Sequence, residues 1–173
     1  MPNSRLNALK KALQLEHDGM VFYAASMEKS TSEFGRKMFE YLHDAEKGHI
    51  KRINEIYHQL EQSADWPELT AQPVMTEPQR HSIFTDAIEQ IRQHQQMDTD
   101  DLDALKQAAE FERNGGQFYS ERVNAAEDPF EQAFYQQLAD EEDHHLRAIE
   151  DSILMLEDPQ GFFAQYEKGT LSG

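Results

Sequence analysis

LHDAEKGH (residues 42–49) and LADEEDHH (residues 138–145) are two versions of one phrase, L-x-D-x-E-x-x-H. Each carries a Glu followed three residues later by a His: Glu46 with His49, and Glu142 with His145. Each is preceded, at the same interval, by another Glu on an earlier helical segment, Glu16 and Glu112. The set Glu16, Glu46, His49 maps onto Glu112, Glu142, His145 at one constant offset.

Working outward, residues 8–57 align with 104–153 without a gap. Ala8/Ala104, Leu9/Leu105, Gly19/Gly115, Phe22/Phe118, Tyr23/Tyr119, Phe34/Phe130, Leu42/Leu138, Asp44/Asp140 and Ile53/Ile149 are identical. Apolar spacing of three and four marks each half as two helices. The stripes are Leu9, Ala12, Glu16, Gly19, Tyr23; then Phe39, Leu42, Glu46, His49, Ile53, Ile56; then Leu105, Ala108, Glu112, Gly115, Tyr119; then Tyr135, Leu138, Glu142, His145, Ile149, Leu156. The helices are expected at about 6–30, 33–61, 101–125 and 129–157, with Asn3 or Ser4 capping the first. Ser30-Thr31-Ser32 and Asp128-Pro129 mark tight connections, the second placing Pro at the first helical position. One hairpin cannot bury its own stripe, so two must pair.

The expected fold is all-α: a four-helix bundle of two repeated hairpins, about 5–62 and 100–157, within a domain 1–157. Between them, 63–99 forms a long crossover. Pro67, Pro73 and Pro78 break helix there, and a short amphipathic helix is expected at 81–94. A crossover of this length can run along the bundle, which allows the second and third helices to be parallel. Residues 158–173 form a tail with Phe162, Phe163 and Tyr166, read as packing on the bundle or on a second subunit.

The chain contains five Glu-x-x-His pairs: Glu40/His43, Glu46/His49, Glu55/His58, Glu141/His144 and Glu142/His145. Only Glu46/His49 and Glu142/His145 map onto each other, and only they interrupt apolar stripes. Glu141/His144 maps back to Ala45/Gly48. Four carboxylates turned into one small bundle are costly without compensation, and their mutual repulsion raises their pKa values. Two divalent cations balance four Glu. The spacing of three along a helix puts each Glu and His about 5 Å apart, within reach of one metal centre. The pseudo-symmetry makes Glu16 and Glu112 terminal ligands, Glu46 and Glu142 bridges, and His49 and His145 one ligand per metal. Carboxylate and imidazole without thiolate suit two iron ions, with manganese possible. Tyr23 and Tyr119 lie two turns past the terminal Glu; each fits a core position, hydrogen bonding to a ligand carboxylate, or oxidation during turnover. Gly19 and Gly115 fit either room for a small oxidant or close helix packing. Asp44 and Asp140 lie off the stripe, where capping or surface pairing is expected. The His residues without a repeat partner are expected at the surface, and the Phe22/Phe118 and Phe34/Phe130 pairs in the core.

The motifs A-L-K-x-A-x-x-x-E-x-x-G-x-x-F-Y, at Ala8–Tyr23 and Ala104–Tyr119, and L-x-D-x-E-x-x-H resemble the rubrerythrin-type branch of the ferritin-like di-iron superfamily. The resemblance implies oxidation of Fe(II) by H2O2 or O2, as a peroxidase or ferroxidase, often in a homodimer. Two features depart from it. Gly115 stands where rubrerythrins carry an extra Glu one turn after the third-helix ligand. The chain also has no Cys, so it lacks a rubredoxin-type centre and a separate electron donor is needed for turnover. The alternative reading is an iron-handling or storage protein that oxidises and sequesters or delivers iron without turnover.

The net charge of −17 repels phosphate backbones and anionic lipid, so no nucleic-acid or membrane partner is expected. No apolar run approaches the ~20 residues that span a bilayer. With no signal peptide at Met1-Pro-Asn-Ser-Arg5, the expected location is cytoplasmic.

Overall fold

The computed structural model describes residues 2–63, 65–67 and 99–162. The four long helices are α1 (Pro2–Lys29), α2 (Glu33–Gln62), α3 (Thr99–Ala125) and α4 (Pro129–Glu157). No strand occurs among the described residues. α1 packs along α2, α3 packs along α4, and α1 also meets α3. This is the ferritin-like bundle of two hairpins. The expected helix at 81–94 and the tail beyond Phe162 lie outside the described residues.

Helix ends follow local chemistry. Ser32 caps α2 by accepting from Gly35 N at 2.9 Å. Asp128 caps α4, accepting from Phe130 N at 2.8 Å, with Pro129 next to it in the first turn. α1 begins at Pro2, so Asn3 and Ser4 fall inside its first turn rather than capping it. Pro needs no N–H partner at a helix start, which makes it a sufficient opening. At Asp158 the chain leaves α4 and makes one further helical turn at 159–162. Asp158 Oδ1 accepts from Gly161 N at 2.9 Å.

Two contacts fix the helix directions. Ser32, at the start of α2, donates from Oγ to Asp101 at the start of α3. Arg5, at the start of α1, pairs through Nε with the buried Glu131 carboxylate at the start of α4 at 2.8 Å. Thus α2 runs parallel to α3, and α1 to α4. A 30-residue helix is about 45 Å long, so the end of α2 and the start of α3 lie at opposite ends of the bundle.

The core divides into two apolar clusters, each drawn from both hairpins. One contains Tyr23, Phe39, Leu42, Leu105, Ile149 and Met155. The other contains Leu9, Ile53, Trp66, Tyr119, Tyr135 and Leu138. All stripe positions are buried except Leu156, which is half-buried. Met155 takes the inner place instead, because the helical period drifts past a seven-residue spacing. The repeat also made Phe34 and Phe130 an equivalent core pair. Phe34 is buried in the cluster that holds Phe162, whereas Phe130 is 40% exposed. Phe34 packs with Phe162 in one apolar cluster, whereas at the other end Trp66 covers Phe134 and Tyr135 and leaves Phe130 exposed. Phe22 and Phe118 are half-buried, edge-on to Tyr23 and Tyr119.

Gly35 makes the packing at Phe34's end possible. A Cβ there would overlap Asp101 Oδ2 and Ser30 Oγ. Gly35→Ala gains about 1 kcal/mol of helix propensity but loses about 1–3 kcal/mol to overpacking. A net loss of stability in urea denaturation is expected, and a more stable variant would contradict this packing.

Candidate metal centre

Between the two apolar clusters lies a buried polar layer: Glu16, Glu46, His49, Glu112, Glu142 and His145, each no more than 4% exposed. Each helix of one hairpin contributes to it at the position where its stripe is interrupted. The six residues form two overlapping groups, Glu16–Glu46–His49–Glu142 and Glu46–Glu112–Glu142–His145. In each group, one candidate ligand atom per residue lies within 4.8 Å of the others. Glu46 and Glu142 belong to both. His49 Nδ1 lies 3.0 Å from Glu16 Oε2, 3.1 Å from Glu46 Oε2 and 3.3 Å from Glu142 Oε1. His145 Nδ1 lies 3.3 Å from Glu112 Oε2 and 3.5 Å from Glu142 Oε2. The two imidazole rings stack with centroids 5.5 Å apart.

The tyrosines cross between hairpins. Tyr23 of α1 donates to Glu112 of α3, and Tyr119 of α3 donates to Glu16 of α1. Burial pushes both phenols well up, with Glu112 and Glu16 respectively adding to it, so each remains a donor. Gly19 and Gly115 give room to the shared carboxylates. A Cβ on Gly19 would sit 3.3 Å from Glu46 Oε1, and one on Gly115 would sit 3.5 Å from Glu142 Cδ. The Glu46 carboxylate thus packs closely on Gly19, and the Glu142 carboxylate lies at ordinary contact distance from Gly115.

The other His of the described residues, His17, His43, His58 and His144, lie outside this layer. His43 pairs with Asp44 at 3.2 Å, and Gln136 donates to Asp140 at 2.8 Å, so both Asp residues make surface pairings. His81 and His94 lie outside the described residues.

Sequence reasoning missed a second layer. Glu141 is only 7% exposed and accepts from His49 Nε2 at 2.8 Å. Arg52 grips the same carboxylate with both guanidinium NH2 groups, Nη1 at 2.9 Å from Oε1. Tyr41 stands edge-on to His145. Glu141 had been set aside because its repeat partner is Ala45. The available signal was flank pairing: Glu141 lies one residue before Glu142, and Arg52 lies three after His49.

The electrostatics show why protons alone satisfy this layer poorly. Burial pushes Glu46 well up, reinforced by the Glu16 and Glu142 carboxylates. Burial and the charge of Glu142 push Glu112 up to about 8, against the opposing pull of His145. Burial would lower both imidazoles, but Glu16 and Glu142 hold His49 well up, and Glu112 and Glu142 hold His145 up at about 9. Burial also opposes ionisation of Glu142, yet the hydrogen bond with Glu112 and the charge of His49 outweigh it and hold Glu142 low. Burial opposes ionisation of Glu141 too, but His49 and Arg52 bring it down to about 2. Glu46 Oε2 is buried without a hydrogen-bond partner, although His49 Nδ1 lies 3.1 Å away. An orphaned carboxylate oxygen shared by both groups fits a bridging donor to two cations.

A four-helix bundle with four Glu and two His in two overlapping buried groups is a dinuclear carboxylate protein of the ferritin-like class. The chain belongs to the rubrerythrin family, whose sequence model, described as Rubrerythrin, matches residues 7–153. That span contains all six clustered residues and both tyrosines. Comparisons with curated proteins and with solved structures gave no match. The Glu4His2 cluster is typical of rubrerythrin-type di-iron oxidoreductases and supports a catalytic, peroxidase- or ferroxidase-like role. Among the described residues no helix is long and apolar enough to cross a membrane.

A pH dependence follows. At pH 7, Glu112, with a pKa of about 8, and His145, with a pKa of about 9, carry protons. A cation must displace them. Divalent-metal affinity is expected to rise with pH between 7 and 9, to fall below 7, and to be accompanied by proton release. Calorimetric titration in buffers of different ionisation enthalpy measures that release; a pH-independent affinity without it would contradict the assignment.

Proposed function

We propose that the chain binds two iron ions through Glu16, Glu46, His49, Glu112, Glu142 and His145, and oxidises Fe(II) with H2O2 or O2. The observation that carries this reading is the sharing of Glu46 and Glu142 by both groups of candidate ligands. Glu46 and Glu142 would be shared by the two ions, Glu16 and Glu112 would each serve one, and His49 and His145 would give one imidazole apiece. Manganese is the alternative occupant. When bound, the iron pair supplies the electrons that reduce the oxidant.

The chain's own residues supply order and dryness. Tyr23 and Tyr119 each hold the terminal carboxylate of the opposite hairpin by a hydrogen bond. This fixes Glu112 and Glu16 relative to the bridges. The apolar clusters on either side limit water at the centre. With no Cys in the chain, turnover draws electrons from a separate donor. A cytoplasmic location is part of this proposal, as is a homodimer, the latter resting on the family resemblance.

A second reading is favoured by Gly115. A carboxylate from that position is absent, and the space beside it is taken by Glu142. Iron oxidation followed by delivery or sequestration needs no repeated reduction. The two readings differ in turnover. Continued peroxide consumption with an added reductant supports the enzyme, and a single stoichiometric burst supports iron handling.

Metal analysis after growth in iron and manganese is expected to give about two ions per chain. The Glu46→Ala/Glu142→Ala double variant should lose most of both. Full metal content in that variant would remove the ligand assignment.

A further inference from the structure

The six candidate ligands obey the internal repeat, but the groups behind them do not. Glu141, Arg52 and Gln137 have Ala45, Ala148 and Tyr41 at the matching positions. His49 is therefore held from behind by Glu141 at 2.8 Å. Glu141 is in turn held by Arg52, and Gln137 Nε2 lies 3.4 Å from its Oε1. His145 instead meets the Tyr41 ring edge-on, with centroids 5.6 Å apart and planes at 85°.

We infer that the two cation positions are not equivalent: the one on His49, backed by the Glu141–Arg52 clamp, fills first and more tightly than the one on His145. This rests on the dinuclear reading above. Each position has the same immediate donors, three carboxylates and one imidazole, so any difference must come from behind them. To ligate through Nδ1, a neutral imidazole must keep its single proton on Nε2. Glu141 accepts that proton's hydrogen bond and fixes both the tautomer and the ring plane before a cation arrives. Arg52 offsets the charge of Glu141, so the clamp acts through orientation more than through added negative charge. It also keeps the carboxylate from swinging toward the metals. His145 has the Tyr41 ring beside it, and the repeat puts Ala45 at the position that Glu141 holds for His49. Its orientation must be set as the cation binds, which costs affinity.

The test is anaerobic titration of the metal-free full chain with Co(II), followed by visible absorption and calorimetry. Wild type should bind two ions in two steps, the first about 10–100-fold tighter. Glu141→Gln should weaken the first step by about tenfold or more, leave the second unchanged, and merge the two. Arg52→Gln alters a half-buried residue at the bundle edge and serves where Glu141→Gln folds poorly; it should weaken the first step alone. Arg52→Lys should restore part of that loss. Two equal steps in wild type, or Glu141 and Arg52 variants that weaken both steps alike, would overturn the inference while leaving the dinuclear reading intact. Absence of any bound Co(II) would overturn both.

Discussion

Four carboxylates and two imidazoles share one dry layer in the middle of the bundle, and the surrounding structure is arranged so that they can. Ionised together without cations, the carboxylates would repel one another where water cannot screen them. Burial and the neighbouring carboxylates push Glu46 and Glu112 up, and the carboxylates hold both imidazoles up, so the layer favours positive charge among its acids. One shared carboxylate oxygen, Glu46 Oε2, is buried without a hydrogen-bond partner. Two divalent cations would match the charge and use every inward donor. The apolar clusters above and below then hold the helices together, while the layer itself sets their register.

That register was readable in the sequence because the polar residues break the apolar stripes at matching places in two repeats. Glu16, Glu46, His49, Glu112, Glu142 and His145 all came from that pattern, and all six lie in the layer. The helix boundaries also followed from caps and Pro placement to within a few residues. The same reliance on the repeat explains the misses. The repeat pairs Phe130 with Phe34 as core, but burial at a bundle end depends on what covers it. Glu141 has no acidic repeat partner, and its role comes from Arg52 and His49, which only tertiary packing brings to it. Periodicity reports which face a residue occupies; it does not report which residue from another helix stands opposite.

The glycines show the same limit. Gly19 and Gly115 stood out as an identical pair, but sequence could not say whether they left a void or a close approach. The neighbouring atoms are the Glu46 and Glu142 carboxylates: a Cβ would crowd Glu46 at Gly19 but meet Glu142 at ordinary contact distance at Gly115.

The crosswise tyrosine bonds join the halves at the centre. Each terminal Glu is oriented by a Tyr from the other hairpin, and each group of four takes at least one carboxylate across the same boundary. A lone hairpin therefore offers three inward polar groups and neither a complete position nor an oriented terminal carboxylate. During synthesis the first hairpin emerges well before the second. A chain made only as far as the first hairpin thus lacks a complete set of four donors for a cation.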